Sequence, residues 1–232
     1  ELKHENVESF QVPGFENAVQ LEEKKNVFLT SAFKDGFFEV QDAGSQKIGE
    51  FLDVKPGMRV VDACAGAGGK TLHIAALMEN KGQIIAMDIH GWKLAELKRR
   101  AKRAGAHNIE TREITDNKVI KRLHEKADRL LIDAPCSGLG VLKRNPDSKW
   151  KIDQDFIDRI RKEQETILQD YSKIIKKGGK MVYATCSILP SENNEQVENF
   201  LKNNPDFKLV KEEKVMPSTG FDGFYMALIE RV

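Results

Sequence analysis

Two thiols mark the places in this sequence where chemistry is easiest to locate. Of three cysteines, Cys136 in "DAPCSGLG" and Cys186 in "VYATCSILP" each close a short apolar run. A thiolate is a soft nucleophile that adds to an electron-poor carbon and later leaves, splitting one difficult substitution into two easier steps. A single cysteine is more often an inert buried side chain, but the same placement twice makes that reading poor for the pair. Upstream, "DACAGAGGKT" gathers Gly66, Gly68 and Gly69 and follows them with Lys70. Such a run lets backbone approach a ligand closely, and a helix opening there offers unpaired N–H groups. An acid, Asp88, closes the next apolar run, "IIAMDI".

Elements must bring these residues together. "MRVVDACAGAGGK" predicts a strand and a turn, "TLHIAALM" a helix, "GQIIAMDI" a second strand, and "WKLAELKRRAKRAG" a helix stopped by glycine. A third strand is predicted at Ile109–Glu113 and a fourth in "ADRLLIDAP". An amphipathic helix follows over about Asp155–Lys177, then a fifth strand in "GGKMVYAT" and a helix in "SENNEQVENFLKNN" opened by a Ser191 cap. Strands alternating with helices predict an α/β fold, a doubly wound and mostly parallel sheet. "FKLVKEE" and "GFYMALIERV" have no helix between them and predict a closing hairpin with one antiparallel strand. The start of the chain lacks this alternation: residues 1–40 read as the remnant of an accessory unit and 41–232 as the main domain, with a helix beginning near Asp42.

Composition sets limits. The chain has 232 residues, 40% of them hydrophobic, enough for one sizeable core. No apolar stretch reaches the roughly 18 residues of a membrane span, and the polar start is no signal peptide, so a cytoplasmic protein without membrane contact is expected. An odd number of widely spaced cysteines without C-x-x-C predicts free thiols, no disulfide framework and no metal site. A net charge of +1 leaves a polyanionic partner open, and a monomer is expected.

In an open parallel sheet, ligands bind beyond the carboxyl ends of the strands, so the glycine loop, Asp88 and both thiols face one cleft. A phosphate loop fails because Cys64 occupies the position of its first glycine, and a dinucleotide loop is weakened because Thr71 replaces its third. An S-adenosylmethionine site, with Asp88 on the ribose hydroxyls, stands beside that second reading. The thiols decide between cofactors. Nicotinamide chemistry needs no such pair, whereas carbon 5 of a cytosine takes a methyl group only after a thiolate has added to carbon 6. A second thiol can assist the elimination that follows.

"FEVQDAGSQ", "DACAGAGGKT", "DAPCSGLG", "RNPDSKW", "GGKMVYATCSILPSENNEQV" and "DGFYMAL" together resemble the Nop/Sun family of RNA cytosine-5 methyltransferases, from about Phe37 to the end of the chain. The resemblance implies a Rossmann-like, seven-stranded class I methyltransferase fold, S-adenosyl-L-methionine as cofactor and an RNA cytosine as substrate, ribosomal RNA ahead of transfer RNA. It maps the cofactor loop onto Cys64, Ala65, Gly66, Ala67, Gly68, Gly69 and Lys70. By the same resemblance Asp88 is the ribose acid, Asp116 the adenine-side acid and Asp133 the acid beside the cofactor methyl. Cys186, in the T-C pair, becomes the nucleophile, and Cys136, in the P-C pair, promotes product release. Gly66 and Ala67 replace the family's usual alanine and proline, which bears on cofactor affinity rather than on chemistry. "DIHGWK" lacks the usual proline-bearing turn, and the family's N-terminal RNA-binding domain is reduced to a remnant, so a fragment of a longer protein is expected.

Two rivals remain at this level. A DNA cytosine-5 methyltransferase would use Cys136 and carry an E-N-V motif after it, but Glu5-Asn6-Val7 precedes the glycine loop. A catalytically silent RNA-binding assembly factor is opposed by retention of both thiols and the full acidic set. For RNA contact, Lys98, Arg99, Arg100, Lys102 and Arg103 read as a solvated helix face. "VLKRNPDSKW" leaves the cleft after Cys136 and offers Lys143 and Arg144 to phosphates, with Trp150 for stacking or packing. A cytosine reached by a thiol must be unstacked, so single-stranded, looped or flipped RNA is expected.

Overall fold

The computed structural model describes Glu1–Val232. In chain order its elements are β1 (Ser9–Gln11), β2 (Val19–Leu21), α1 (Ser31–Lys34), α2 (Ala43–Phe51), β3 (Arg59–Asp62), α3 (Gly69–Leu77), β4 (Gln83–Asp88), α4 (Gly91–Arg103), β5 (Ile109–Glu113), α5 (Asn117–Lys121), β6 (Ala127–Asp133), α6 (Ser148–Lys151), α7 (Gln154–Tyr171), β7 (Ile175–Thr185), α8 (Asn194–Asn203), β8 (Phe207–Val215) and β9 (Phe224–Arg231). Seven strands form one sheet in the order β5-β4-β3-β6-β7-β9-β8. The strands from β5 to β7 pair in parallel, and β9 is antiparallel to both neighbours.

Strands covered on both faces read as near-continuous apolar runs whose alternate residues enter opposite layers. Val61, Leu130, Ile132 and Tyr183 join Ile120 of α5, Leu168 of α7 and Val197 and Phe200 of α8 in one core. Val60, Leu131, Val182 and Ala184 join Ile48 and Phe51 of α2 and Ile74 of α3 in the other. Strand order reverses between β3 and β6, the place where such sheets open a cleft. Asp62 pairs with Ala86 and Leu131 and Asp133 with Ala184, so the loops after β3, β4, β6 and β7 start at nearly one level.

Two element boundaries differ from the sequence reading. The long helix stops at Tyr171 instead of Lys177; Ser172–Ile174 form a 3-10 turn and β7 already begins at Ile175. Ile174 and Ile175 are fully buried and are drawn into the core, while the register jumps from Ala127↔Ile175 to Arg129↔Lys180. Gly178, at φ +75°, lies in that excursion, so the glycines bulge the strand rather than start it. Ser191 does not cap α8: it lies in the 3-10 turn Pro190–Glu192, and Asn193 holds the cap position. The Asn193 side chain turns inward, accepting from the Thr185 hydroxyl at 2.5 Å and donating to the Ser187 carbonyl at 3.0 Å. In the N-terminal stretch, β1 and β2 form an antiparallel hairpin that alternation did not reveal. Val12, Phe15 and Ala18 pack beside Ala43, with Phe15 edge-on to Phe221 at 5.2 Å.

Candidate active site

Because β6 and β7 are neighbours, the loops leaving Asp133 and Thr185 carry Cys136 and Cys186 toward each other. Their sulfurs stand 3.2 Å apart, and both thiols are free. The hydrogen bond that Cys136 donates to Cys186, together with burial, pushes the Cys136 thiol well above the ordinary thiol range. The same bond holds Cys186 below it against burial and the Asp133 charge, with Lys70 adding a smaller downward pull. Lys70, in the first turn of α3, donates to Asp133 Oδ2 at 2.6 Å. Burial opposes its charge, but Asp133 outweighs that loss and raises the ammonium above its ordinary value. The arrangement offers two thiols in contact, the one of Cys186 the more readily ionised, with a fixed cation–carboxylate pair alongside.

The loop after β3 is built to leave one side clear. Asp88 Oδ2 accepts from the Gly66 N–H at 2.9 Å and Oδ1 from the His90 N–H at 2.8 Å, and the Ala65 N–H donates to the Met87 carbonyl at 2.8 Å. Gly68, at φ +91°, starts α3, and a Cβ there would meet Leu97 Cγ at 2.5 Å. Cβ atoms on Gly66 or Gly69 would meet nothing within 4 Å. Open backbone, a helix N-terminus and an acid closing the next strand together fit a nucleoside cofactor. Beneath, the Thr71 hydroxyl donates to Asp62 Oδ2 at 2.7 Å, Asp62 Oδ1 has no partner, and burial pushes this carboxyl up to about 7. Cys64, in the same loop, is held well above the ordinary thiol range by loss of water and by the carboxylates of Asp62 and Asp133. Asp116 is exposed beyond β5 and caps α5, accepting from the Lys118 N–H at 2.7 Å.

On the outer side of the cleft the basic residues divide. Lys143 is exposed, and the Arg144 guanidinium, also exposed, pairs with the buried carboxylate of Asp222, which already matches its charge. Trp150 is 82% exposed, with the Lys149 ammonium 4.9 Å from its ring centre. Lys98, Arg99 and Lys102 form the expected solvated face. Arg100 and Arg103 turn inward to Glu39 instead, and Arg100 also donates to the Ala67 carbonyl at 2.7 Å, bracing the glycine loop. Sequence reasoning missed a buried group behind the thiols, made of Glu192, Ser137, Ser187 and Gln164. Its one visible signal was a serine directly after each thiol, in "PCS" and "TCS".

Such a sheet, with its last hairpin reversed, a glycine loop after the first long strand and an acid after the next, is the class I S-adenosylmethionine-dependent methyltransferase fold. The family described as 16S rRNA methyltransferase RsmB/F matches residues 50–229, and the chain belongs to that family. It is 41% identical over 178 residues to the probable ribosomal RNA small subunit methyltransferase B of Synechocystis sp., covering 76% of this chain and 40% of that protein. The crystal structure of PH0851 superposes with a TM-score of 0.95 at 32% identity, covering 99% of this chain and 55% of the other. NSun6 from Pyrococcus horikoshii with SFG gives a TM-score of 0.82 at 29% identity, covering 93% and 59%. The chain spans about half the length of the curated relatives it matches.

Proposed function

We propose that residues 41–232 are the catalytic domain of an RNA cytosine-5 methyltransferase acting on small-subunit ribosomal RNA, and that residues 1–40 are the end of an accessory RNA-binding unit. The observation that carries the reading is the pair of free thiols 3.2 Å apart beside the Lys70–Asp133 pair, since methyl transfer to carbon 5 has a use for both sulfurs. The names of the relatives, ribosomal RNA small subunit methyltransferase B, support the RNA class. S-adenosyl-L-methionine is the cofactor in this reading: the open cradle from Gly66 to Gly69 suits it, and the NSun6 structure holds SFG, an analogue. When bound it supplies an electrophilic methyl group. Asp88 accepts hydrogen bonds from its ribose hydroxyls, Asp116 serves the adenine side and Asp133 the side of the reacting carbon.

Cys186 Sγ adds its electron pair to carbon 6 of the cytosine, forming an S–C bond and moving ring electron density onto carbon 5. Once carbon 5 is methylated, its proton leaves to solvent, the ring double bond re-forms and the S–C bond breaks, returning the electron pair to Cys186. Cys136, in contact with that sulfur, assists the release. Lys143 meets phosphate at the mouth of the cleft. Free thiols suit a cytoplasmic setting, no helix is long and apolar enough to cross a membrane, and the reading includes a monomer. The test incubates the protein with methyl-labelled cofactor and either small-subunit ribosomal RNA or a DNA strand of the same sequence, then digests each to nucleosides. Label in 5-methylcytidine is expected; label in DNA with none in RNA, or on another nucleoside, would overturn the proposal.

A further inference from the structure

One carboxylate reaches both thiol loops. Glu192, fully buried in the turn after β7, accepts from the Ser137 N–H at 2.8 Å and the Ser137 hydroxyl at 2.5 Å. It also accepts from the Ser187 hydroxyl and from Gln164 Nε2 at 3.0 Å. Ser137 follows Cys136, and Ser187 follows Cys186. Gln164, from α7, donates in addition to the Pro135 carbonyl at 2.9 Å, directly ahead of Cys136. The Tyr183 hydroxyl of β7 fixes the turn itself, donating to the Glu192 carbonyl at 2.8 Å.

Four donors match the acceptor capacity of a carboxylate. Each serine hydroxyl has one proton to give, and both are given to Glu192. The 3.1 Å approach of the two serine oxygens is therefore held by the carboxylate between them, not by a bond from one to the other. Burying an acid only to fill space is costly, and apolar packing serves that purpose better. What an acid adds here is a fixed distance between two loops and a negative charge behind one sulfur.

We propose that Glu192 is a positioning residue for the thiol pair: it sets the separation of Cys136 and Cys186 and assigns the shared proton to Cys136, leaving Cys186 as the thiolate. The inference rests on the methyltransferase reading for its purpose, and its test is independent of methyl transfer. After the Cys186 hydrogen bond, burial and the charge on Cys186 itself, the Glu192 charge is a further cause that pushes the Cys136 thiol up.

The experiment measures iodoacetamide alkylation of each cysteine by mass spectrometry from pH 6 to pH 10, in the full chain and in Glu192→Gln, Glu192→Asp, Ser137→Ala and Ser187→Ala. In the unsubstituted protein Cys186 is expected to react at least about tenfold faster than Cys136 at pH 7.5, because the thiolate is the reactive form. Glu192→Gln should bring the two rates within about threefold by moving the Cys136 midpoint downward. Glu192→Asp, which keeps the charge, should restore the order of reaction. Wild-type rates and midpoint in folded Glu192→Gln would overturn the proposal. Where Glu192→Gln does not fold, the serine variants decide: a reduced rate ratio in each supports the clamp, and wild-type ratios in both overturn it. Methyl transfer assayed in parallel separates the two readings, because an altered rate ratio in Glu192→Gln with no methylation by the unsubstituted protein contradicts the function and sustains the clamp.

Discussion

The proposed role of Cys186 as nucleophile needs a thiolate, which its contact with Cys136 and the charge of Lys70 favour and which burial and the Asp133 carboxylate oppose. Below them Asp62 keeps a proton that an unfolded chain would release. Its folded carboxyl titrates at about 7, against about 3.9 in an open chain. Between those values the folded state binds more protons, so stability is lost as pH rises through the window and levels off above it. Asp62→Asn has no such slope, and relative to the unsubstituted protein it should gain roughly 2–3 kcal/mol between pH 5 and pH 8. Denaturant melts at the two pH values measure this, and no change in the difference would contradict a proton held on Asp62. Asp88 ties down the loop backbone and is also the proposed ribose acceptor. Asp88→Ala should therefore weaken binding of S-adenosylmethionine by about 10–100-fold by calorimetry, and unchanged affinity would move the site elsewhere.

At the scale of elements, the site is where four loops leave neighbouring strands, and their contacts to one another hold it. The Gly140 N–H donates to the Cys186 carbonyl at 2.9 Å and the Gly223 N–H to the Gly140 carbonyl at 2.8 Å, so the two thiol loops and the turn before β9 move together. The Arg144–Asp222 pair ties the next stretch to the same turn. Lys143→Ala should accordingly lower the salt dependence of RNA binding by about one unit of slope, and Arg144→Ala by less, because its charge is already matched. Equal effects, read from affinities across a salt series, would show that RNA breaks the Arg144 pair. Most of these elements were legible beforehand: apolar runs marked β3, β4, β6 and β7, and the residues closing them marked the cleft. What was not legible depended on partners distant in sequence. Ile174 and Ile175 leave the helical pattern because the core takes them, Arg100 faces inward because Glu39 is there, and Glu192 becomes central only when β6 and β7 bring Ser137 and Ser187 together.

For the molecule as a whole, a net charge of +1 gives little general attraction to a polyanion, and the chain spans about half the length of its curated relatives. In the proposed reading, target recognition comes largely from outside residues 41–232. Extending the chain to the length of the relatives should raise RNA affinity by tenfold or more in filter binding, about 1.4 kcal/mol, without altering thiol reactivity; equal affinity would assign recognition to residues 1–232 themselves. In the proposed reaction the two sulfurs in contact have unequal roles. The measurement that tests this most directly is a denaturing gel of Cys136→Ala and Cys186→Ala after incubation with RNA and S-adenosylmethionine. A covalent protein–RNA band that accumulates with Cys136→Ala and is absent with Cys186→Ala is the predicted result; a band from Cys186→Ala and none from Cys136→Ala would show that Cys136 is the nucleophile and contradict the account.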